Sequence, residues 1–275
     1  MVPFFNNMAG AIEAELLGDA MKNPIGMVAG LAAFIVLGQA TADAAEIKML
    51  SANGMREVME DLGPKFERAT GHRLAIAFAT LGVIVQRVEG GETADVVAIP
   101  RQGIDRLVKD GKASGATATV LARAGIGVVV RKGSPKPDIS TPEALKRTLL
   151  AAKSITYLDP AAGGTSGVHF AKVLDRLDIS AEMKPKTVLH PNARAAGALV
   201  ANGEAEIGVN LIQELMPLPG IDLVGPLPGD LQNTLVFTAV IMTGAKDAAA
   251  AKALIDFLRT PEAAVVIKAK GMEPG

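Results

Sequence analysis

From Glu46 onward, short apolar runs alternate with stretches whose apolar residues recur every three or four positions. Short runs of this kind suit strands buried on both faces, and the longer period suits helices packed against them. Repeated along a chain, the alternation predicts an α/β fold with mainly parallel sheets, because each helix carries the chain back to the starting end of the sheet. Residues 47–50 predict the first strand. Met55, Val58, Leu62, Phe66 and Ala69 then mark a helix ended by Gly71. Strands at 74–78 and 95–99 follow, with helices at 83–88 and 104–108.

The stretch 120–131 reads as one long strand with Gly125 and Gly127 inside it. No helix follows that Gly-x-Gly, so it is not a dinucleotide fingerprint and marks a bend or crossing instead. Thr141, Pro142 and Glu143 open a helix, with Thr as N-cap and Pro in the first turn. Further strands are expected at 154–158, 187–190, 206–210 and 222–224. Pro226 and Pro228 break the chain, 234–242 reads as a second long strand, and two helices close it. The two long strands are the expected crossings between two lobes, each a mostly parallel sheet flanked by helices. Lobe one takes 46–122 plus 231–275, and lobe two takes 123–230.

Ahead of this pattern, Lys22 precedes an apolar run at 25–37, followed by Ala40, Ala42 and Ala44 in A-x-A cleavage frames. The run is shorter than the roughly 20 residues that span a bilayer, so residues 1–44 read as an export signal cleaved near Ala44. Glu13, Glu15 and Asp19 are acidic where a signal is basic, which places the expected start at Met21. A periplasmic location follows as an expectation. The whole chain carries 28 basic and 29 acidic residues; without Lys22 and the four acidic residues at 13, 15, 19 and 43, the remainder holds 27 and 25. That balance, with no basic run, gives no footing for nucleic acid. The chain has no cysteine, which excludes thiol chemistry and disulfides, and with no Trp and only Tyr157 it offers few rings for stacking sugars. A small, non-aromatic ligand and a monomeric protein are expected, with no cofactor.

In an α/β fold, turns from strand ends into helix N-termini collect free N–H groups that favour anions. Four turns qualify: 51–54 with Asn53 and Gly54, 79–82 with Thr80 and Leu81, 163–167 with Gly164, Thr165 and Ser166, and 190–194 with Asn192 and Ala193. Each taken singly also reads as a simple helix cap. Arg123 either clamps a carboxylate in the cleft or ends its strand in solvent. Asn210 and Gln213 either reach the same cleft or cap the helix at 211–216. His72, His169 and His190 lack ligand spacing, so no metal site is expected. His169, His190 and Asp159 are the candidate proton carriers.

These residues resemble the molybdate-binding protein family, periplasmic components of ABC importers. The similarity rests on 50–55; on Lys65, Phe66, Glu67, Thr70 and Gly71 leading to Ala77, Phe78, Ala79 and Thr80; on Gly90, Gly91, Ala94, Asp95 and Val96; and on Ala193 to Ala196 through Val200, Gly203, Glu204 and Ala205. The resemblance implies a type 2 periplasmic-binding fold that closes on a small anion and partners with importer membrane subunits. Where that family places a serine, a serine pair and a tyrosine around its oxyanion, this chain has Asn53, Thr80 with Leu81, and Leu211. The departure argues against molybdate and for an organic carboxylate. The chain is also similar to aconitate isomerases, periplasmic enzymes of the same fold. That similarity implies the alternative activity, an allylic proton shift on an unsaturated tricarboxylate needing one acid–base group and donors for the carboxylates.

Overall fold

The computed structural model describes residues 44–275, so the expected signal sequence and its start at Met21 lie outside the described residues. β1 (Glu46–Ala52) leads through a 3-10 turn (Asn53–Met55) into α1 (Arg56–Thr70), then β2 (Arg73–Ala79), α2 (Leu81–Glu89), β3 (Val96–Pro100) and α3 (Arg101–Lys109). β4 (Thr119–Ala124) and β5 (Ile126–Arg131) are separated by Gly125 alone. Next come α4 (Pro142–Ala151), β6 (Ile155–Leu158), α5 (Thr165–Arg176), α6 (Ser180–Met183), β7 (Thr187–His190), α7 (Ala193–Asn202), β8 (Ile207–Leu211), α8 (Ile212–Leu215) and β9 (Ile221–Pro226). β10 (Leu235–Ile241), α9 (Ala248–Phe257), α10 (Pro261–Ala269) and β11 (Glu273–Pro274) complete the chain.

Two mixed sheets result. The first runs β11-β4-β10-β3-β1-β2 and the second β7-β6-β8-β5-β9. Parallel pairing joins β2, β1 and β3 in one and β7, β6 and β8 in the other, where helices return the chain to the same end. β5 and β10 enter from the other sheet rather than over a helix, and the pairs β10–β3, β10–β4, β5–β8 and β5–β9 are all antiparallel. The expected long strand at 120–131 is therefore two strands in different sheets. The break falls at Gly125, beyond the 122/123 boundary read from the sequence. The return crossing lies at 227–234, ahead of β10, and β10 itself stays wholly within the first sheet. Gln232 braces both crossings: its Oε1 accepts from the Ile126 N–H at 2.9 Å and its Nε2 donates to the Ile126 carbonyl at 2.9 Å.

Local chemistry explains the element boundaries. β3, β6 and β8 are buried along their whole length, as continuous apolar runs covered on both faces must be. α1 buries Val58, Met59, Leu62 and Phe66 on one stripe, and Phe66 meets Phe257 of α9 edge-on at 5.5 Å. Gly71 ends α1 at φ 77, a conformation that costs a residue with a Cβ. Thr141 caps α4 through a bond from the Ala144 N–H at 3.1 Å, and Thr260 caps α10 from Ala263 at 3.2 Å. Asp95, buried just ahead of β3, accepts N–H bonds from Lys48 at 2.8 Å and Lys246 at 2.7 Å. One carboxylate thus ties β1 and the lead-in to α9 to the edge of β3.

Candidate functional site

At the carboxyl ends of their parallel strands, the two sheets face each other across a cavity of about 700 Å³. That volume lies in the range of small-molecule sites. From the first sheet it is lined by Ala52, Asn53 and Gly54 after β1, by Thr80 and Leu81 after β2, and by Arg56, Glu57 and Glu60 of α1. From the second come Gly164, Thr165 and Ser166 after β6, Asn192, Ala193 and Arg194 after β7, and Leu211 and Glu214 after β8. Pro100, Leu158, Leu235 and Phe237 supply apolar wall. Helices α2 and α5 begin without a side-chain cap, so their first-turn N–H groups rely on other partners. In α7 the Asn192 side chain accepts from the Ala195 N–H at 2.9 Å. Helix N-termini from both lobes therefore bring partial positive charge to one cavity.

The rims of the two lobes touch. The Thr80 hydroxyl donates to the Ala162 carbonyl at 2.8 Å, and the Gly82 N–H donates to the Gly163 carbonyl at 3.2 Å. Gly163 sits at φ 71, and a Cβ on either glycine would lie 3.1 Å from the Cα of the other. Deeper in, the Gln213 amide donates to the Gly54 carbonyl at 3.3 Å. Gly54 itself rests so close to the Phe237 ring that a Cβ would come within 2.7 Å of it.

Few hydroxyls in this cavity are uncommitted. Thr80 is engaged across the rim, and the Ser166 hydroxyl donates to Asn210 Oδ1 at 2.6 Å, which also accepts from the Leu211 N–H at 2.8 Å. Thr165 Oγ1 is buried without a hydrogen-bond partner among the described residues, as are Asn210 Nδ2 and Gln213 Oε1. The charged groups are mixed. Arg56 lies 4.2 Å over the Phe78 ring and 3.6 Å from Glu60. Arg194 is exposed on the opposite wall. Glu214, half-buried, has no ion pair or hydrogen bond with its side chain among the described residues. Burial pushes its carboxyl up to about 7, with the Arg56 charge opposing.

Of the residues expected at a site, Asn53, Gly54, Thr80, Leu81, Gly164, Thr165, Ser166, Asn192 and Ala193 come together on the cavity wall. Asn210 and Gln213 lie buried beneath it, bracing Ser166 and Gly54. Arg123 is not on the wall. Its strand pairs with β11 and its guanidinium donates to the Pro274 carbonyl at 3.4 Å, so it does not reach into the cavity. None of the three expected proton carriers lines the cavity. His169 Nε2 bonds the Leu231 carbonyl at 2.8 Å, and Asp159 accepts from the Ala161 N–H at 2.9 Å as the cap of a 3-10 turn. His190 is buried with both ring nitrogens unpartnered among the described residues. Desolvation holds its pKa below the ordinary value, against the Asn192 backbone and the Asp159 charge.

Arg194 falls in the 190–194 turn singled out from the sequence, whereas Arg56 and Glu214 were not named there. The only signal for these two was position, since each follows a strand end by a few residues.

Aligned over 234 residues, the chain is 34% identical to the aconitate isomerase of a Pseudomonas species, covering 83% of this chain and 87% of that protein. It is 26% identical over 250 residues to the molybdate-binding protein of Escherichia coli, covering 90% and 96% respectively. The solved periplasmic molybdate-binding protein of Azotobacter vinelandii superposes with a TM-score of 0.67 at 20% identity, over 83% of this chain and 99% of that one. The two share the type 2 periplasmic-binding fold. Residues 47–273 match the bacterial extracellular solute-binding protein family, and the chain belongs to it.

Proposed function

We propose that the cleft captures a small organic polycarboxylate, in preference to a tetrahedral oxyanion, as the receptor of an ABC importer in the periplasm. One observation carries this reading. The hydroxyls that would wrap a tetrahedral oxyanion are absent at Asn53, Leu81 and Leu211 and already bonded at Thr80 and Ser166, while two guanidinium groups, Arg56 and Arg194, stand on opposite walls. Guanidinium matches carboxylate geometry with paired N–H donors. The free Thr165 hydroxyl and the α2 and α5 N-termini add donors. The cavity also exceeds what a single oxyanion would fill. The domain organisation that goes with this is two lobes hinged at Gly125 and 227–234, closing so that the Thr80–Ala162 and Gly82–Gly163 contacts seal the rim.

Thermal-shift and calorimetric titration against molybdate, tungstate, sulfate, and di- and tricarboxylates tests the reading. A ligand at 100 times its Kd stabilises by about 2.7 kcal/mol, so a tricarboxylate is expected to raise Tm by several degrees. Stabilisation by molybdate alone overturns the carboxylate preference.

A second reading is isomerisation of an unsaturated tricarboxylate in the same cleft. The similarity to the Pseudomonas aconitate isomerase over most of both chains supports it. A change in the ultraviolet absorbance of a cis-aconitate solution on incubation, with the trans isomer resolved by chromatography, separates catalyst from receptor. An unchanged cis-aconitate solution leaves the receptor reading alone.

A further inference from the structure

We propose that Glu214 is the acid–base residue of the cleft, moving a proton between the two ends of the allylic system of a bound unsaturated tricarboxylate. The proposal rests on the isomerase reading and supplies the group that the histidines and Asp159 do not. Three observations place it. Glu214 lines the cavity, on the first turn after β8. Its carboxylate makes no hydrogen bond or ion pair with described residues, unlike Glu60 on the facing wall, which pairs with Arg56. It therefore has no partner to give up before it takes a proton. Its half-buried position also disfavours the charged form, which suits a group that must both accept and return a proton near neutral pH.

The step is balanced within the ligand and this one side chain. The Glu214 carboxylate takes a proton from the methylene carbon beside the double bond. The C–H electron pair spreads over the three-carbon unit and onto the flanking carboxylate, whose growing charge meets Arg56, the Thr165 hydroxyl and the helix N-termini. Glu214 then returns the proton to the far carbon, the double bond shifts, and the side chain ends ionised as it began. No oxidant, reductant or second substrate is consumed. The new double bond joins the former methylene carbon to the central carbon, so the conformation held about that bond as the proton leaves sets which geometric isomer forms.

The charged groups around Glu214 are Arg56, Glu57 and Glu60 from α1 and Arg194 from α7. α8 packs also on β5, β8 and β9. Their charged side chains are Arg131, exposed at its strand end, and Asp222, whose carboxylate accepts from the Gly133 N–H at 2.8 Å.

Glu214→Gln keeps the shape of the protonated acid and removes its proton chemistry. With cis-aconitate as the probe, the variant is expected to lose about 100-fold or more in turnover while its calorimetric Kd changes by less than about threefold, within 0.7 kcal/mol. Glu214→Asp is expected to recover part of the turnover. In the parent, kcat/KM is expected to rise with pH and level off above about 7, as the base ionises. In D2O, proton NMR is expected to show deuterium entering the methylene and vinyl positions with the parent and not with Glu214→Gln. Turnover by Glu214→Gln within about fivefold of the parent removes Glu214 from the role and leaves the isomerase reading standing. A parent that binds cis-aconitate yet neither converts nor exchanges it sinks the isomerase reading and Glu214 with it. A parent that binds no polycarboxylate overturns the carboxylate reading as well.

Discussion

Replacing Glu214 with Gln is expected to stabilise the unliganded protein at pH 8 and to leave its stability at pH 4 nearly unchanged. In the native state burial raises the carboxyl from 4.5 to about 7. Below pH 4.5 folded and unfolded chains both hold the proton, and Gln mimics that state. Between 4.5 and 7 the unfolded chain releases the proton while the native one retains it, so the parent loses stability as pH rises. Above about 7 both are ionised and the deficit is constant. A shift from 4.5 to about 7 corresponds to about 3 kcal/mol. Glu214 is only half-buried beside an open cleft, and water there screens part of it, leaving roughly 1.5–3 kcal/mol. For a domain of this size that is about 3–10 °C in Tm. Thermal unfolding of parent and variant from pH 4 to pH 9, without ligand, reads the difference directly. A Tm gap that is flat with pH, or that closes as pH rises, would falsify the placement of Glu214 in a desolvating wall.

Other substitutions test separate parts of the structure. Arg56→Ala is expected to weaken polycarboxylate binding about 10- to 100-fold by isothermal titration, and an unchanged Kd removes Arg56 from the site. Gly163→Ala puts a Cβ 3.1 Å from Gly82 at a φ of 71, so it is expected to loosen the rim and speed ligand release about fivefold or more in stopped-flow; an unaltered off-rate means the rim contact does not hold the cleft shut. Asp95→Ala leaves the Lys48 and Lys246 N–H groups without their acceptor and is expected to cost about 2–3 kcal/mol in urea unfolding, with a loss below 0.5 kcal/mol counting against its structural role.

Alternating apolar runs and helical spacing made the α/β class, the order of elements and the helix caps at Thr141 and Thr260 legible, because strand burial and capping depend on residues close in the chain. The same local chemistry made the βα turns legible as candidate site turns: Asn53, Thr80, Thr165 and Asn192 each follow a strand end, and the fold brings all four to one cavity. Pairing was not legible. A stretch such as 120–131 is equally apolar whether it stays in one sheet or bends at Gly125 into another, and only its partners across space decide that.

Side-chain roles divided along the same line. Nothing adjacent to Arg123 in the chain says that β11 covers it, 151 residues later, at the Pro274 carbonyl. Nothing adjacent to Glu214 says that burial strips its water or that Arg56 of α1 stands on the same cavity. A pKa, a free carboxylate or a clamp depends on distance and dielectric between elements remote in sequence. The sequence alone determined the layered fold and the helix-start turns that suit an anion. The tertiary structure decided which charges meet in the cleft, because burial and proximity are properties of packed elements and not of any one segment.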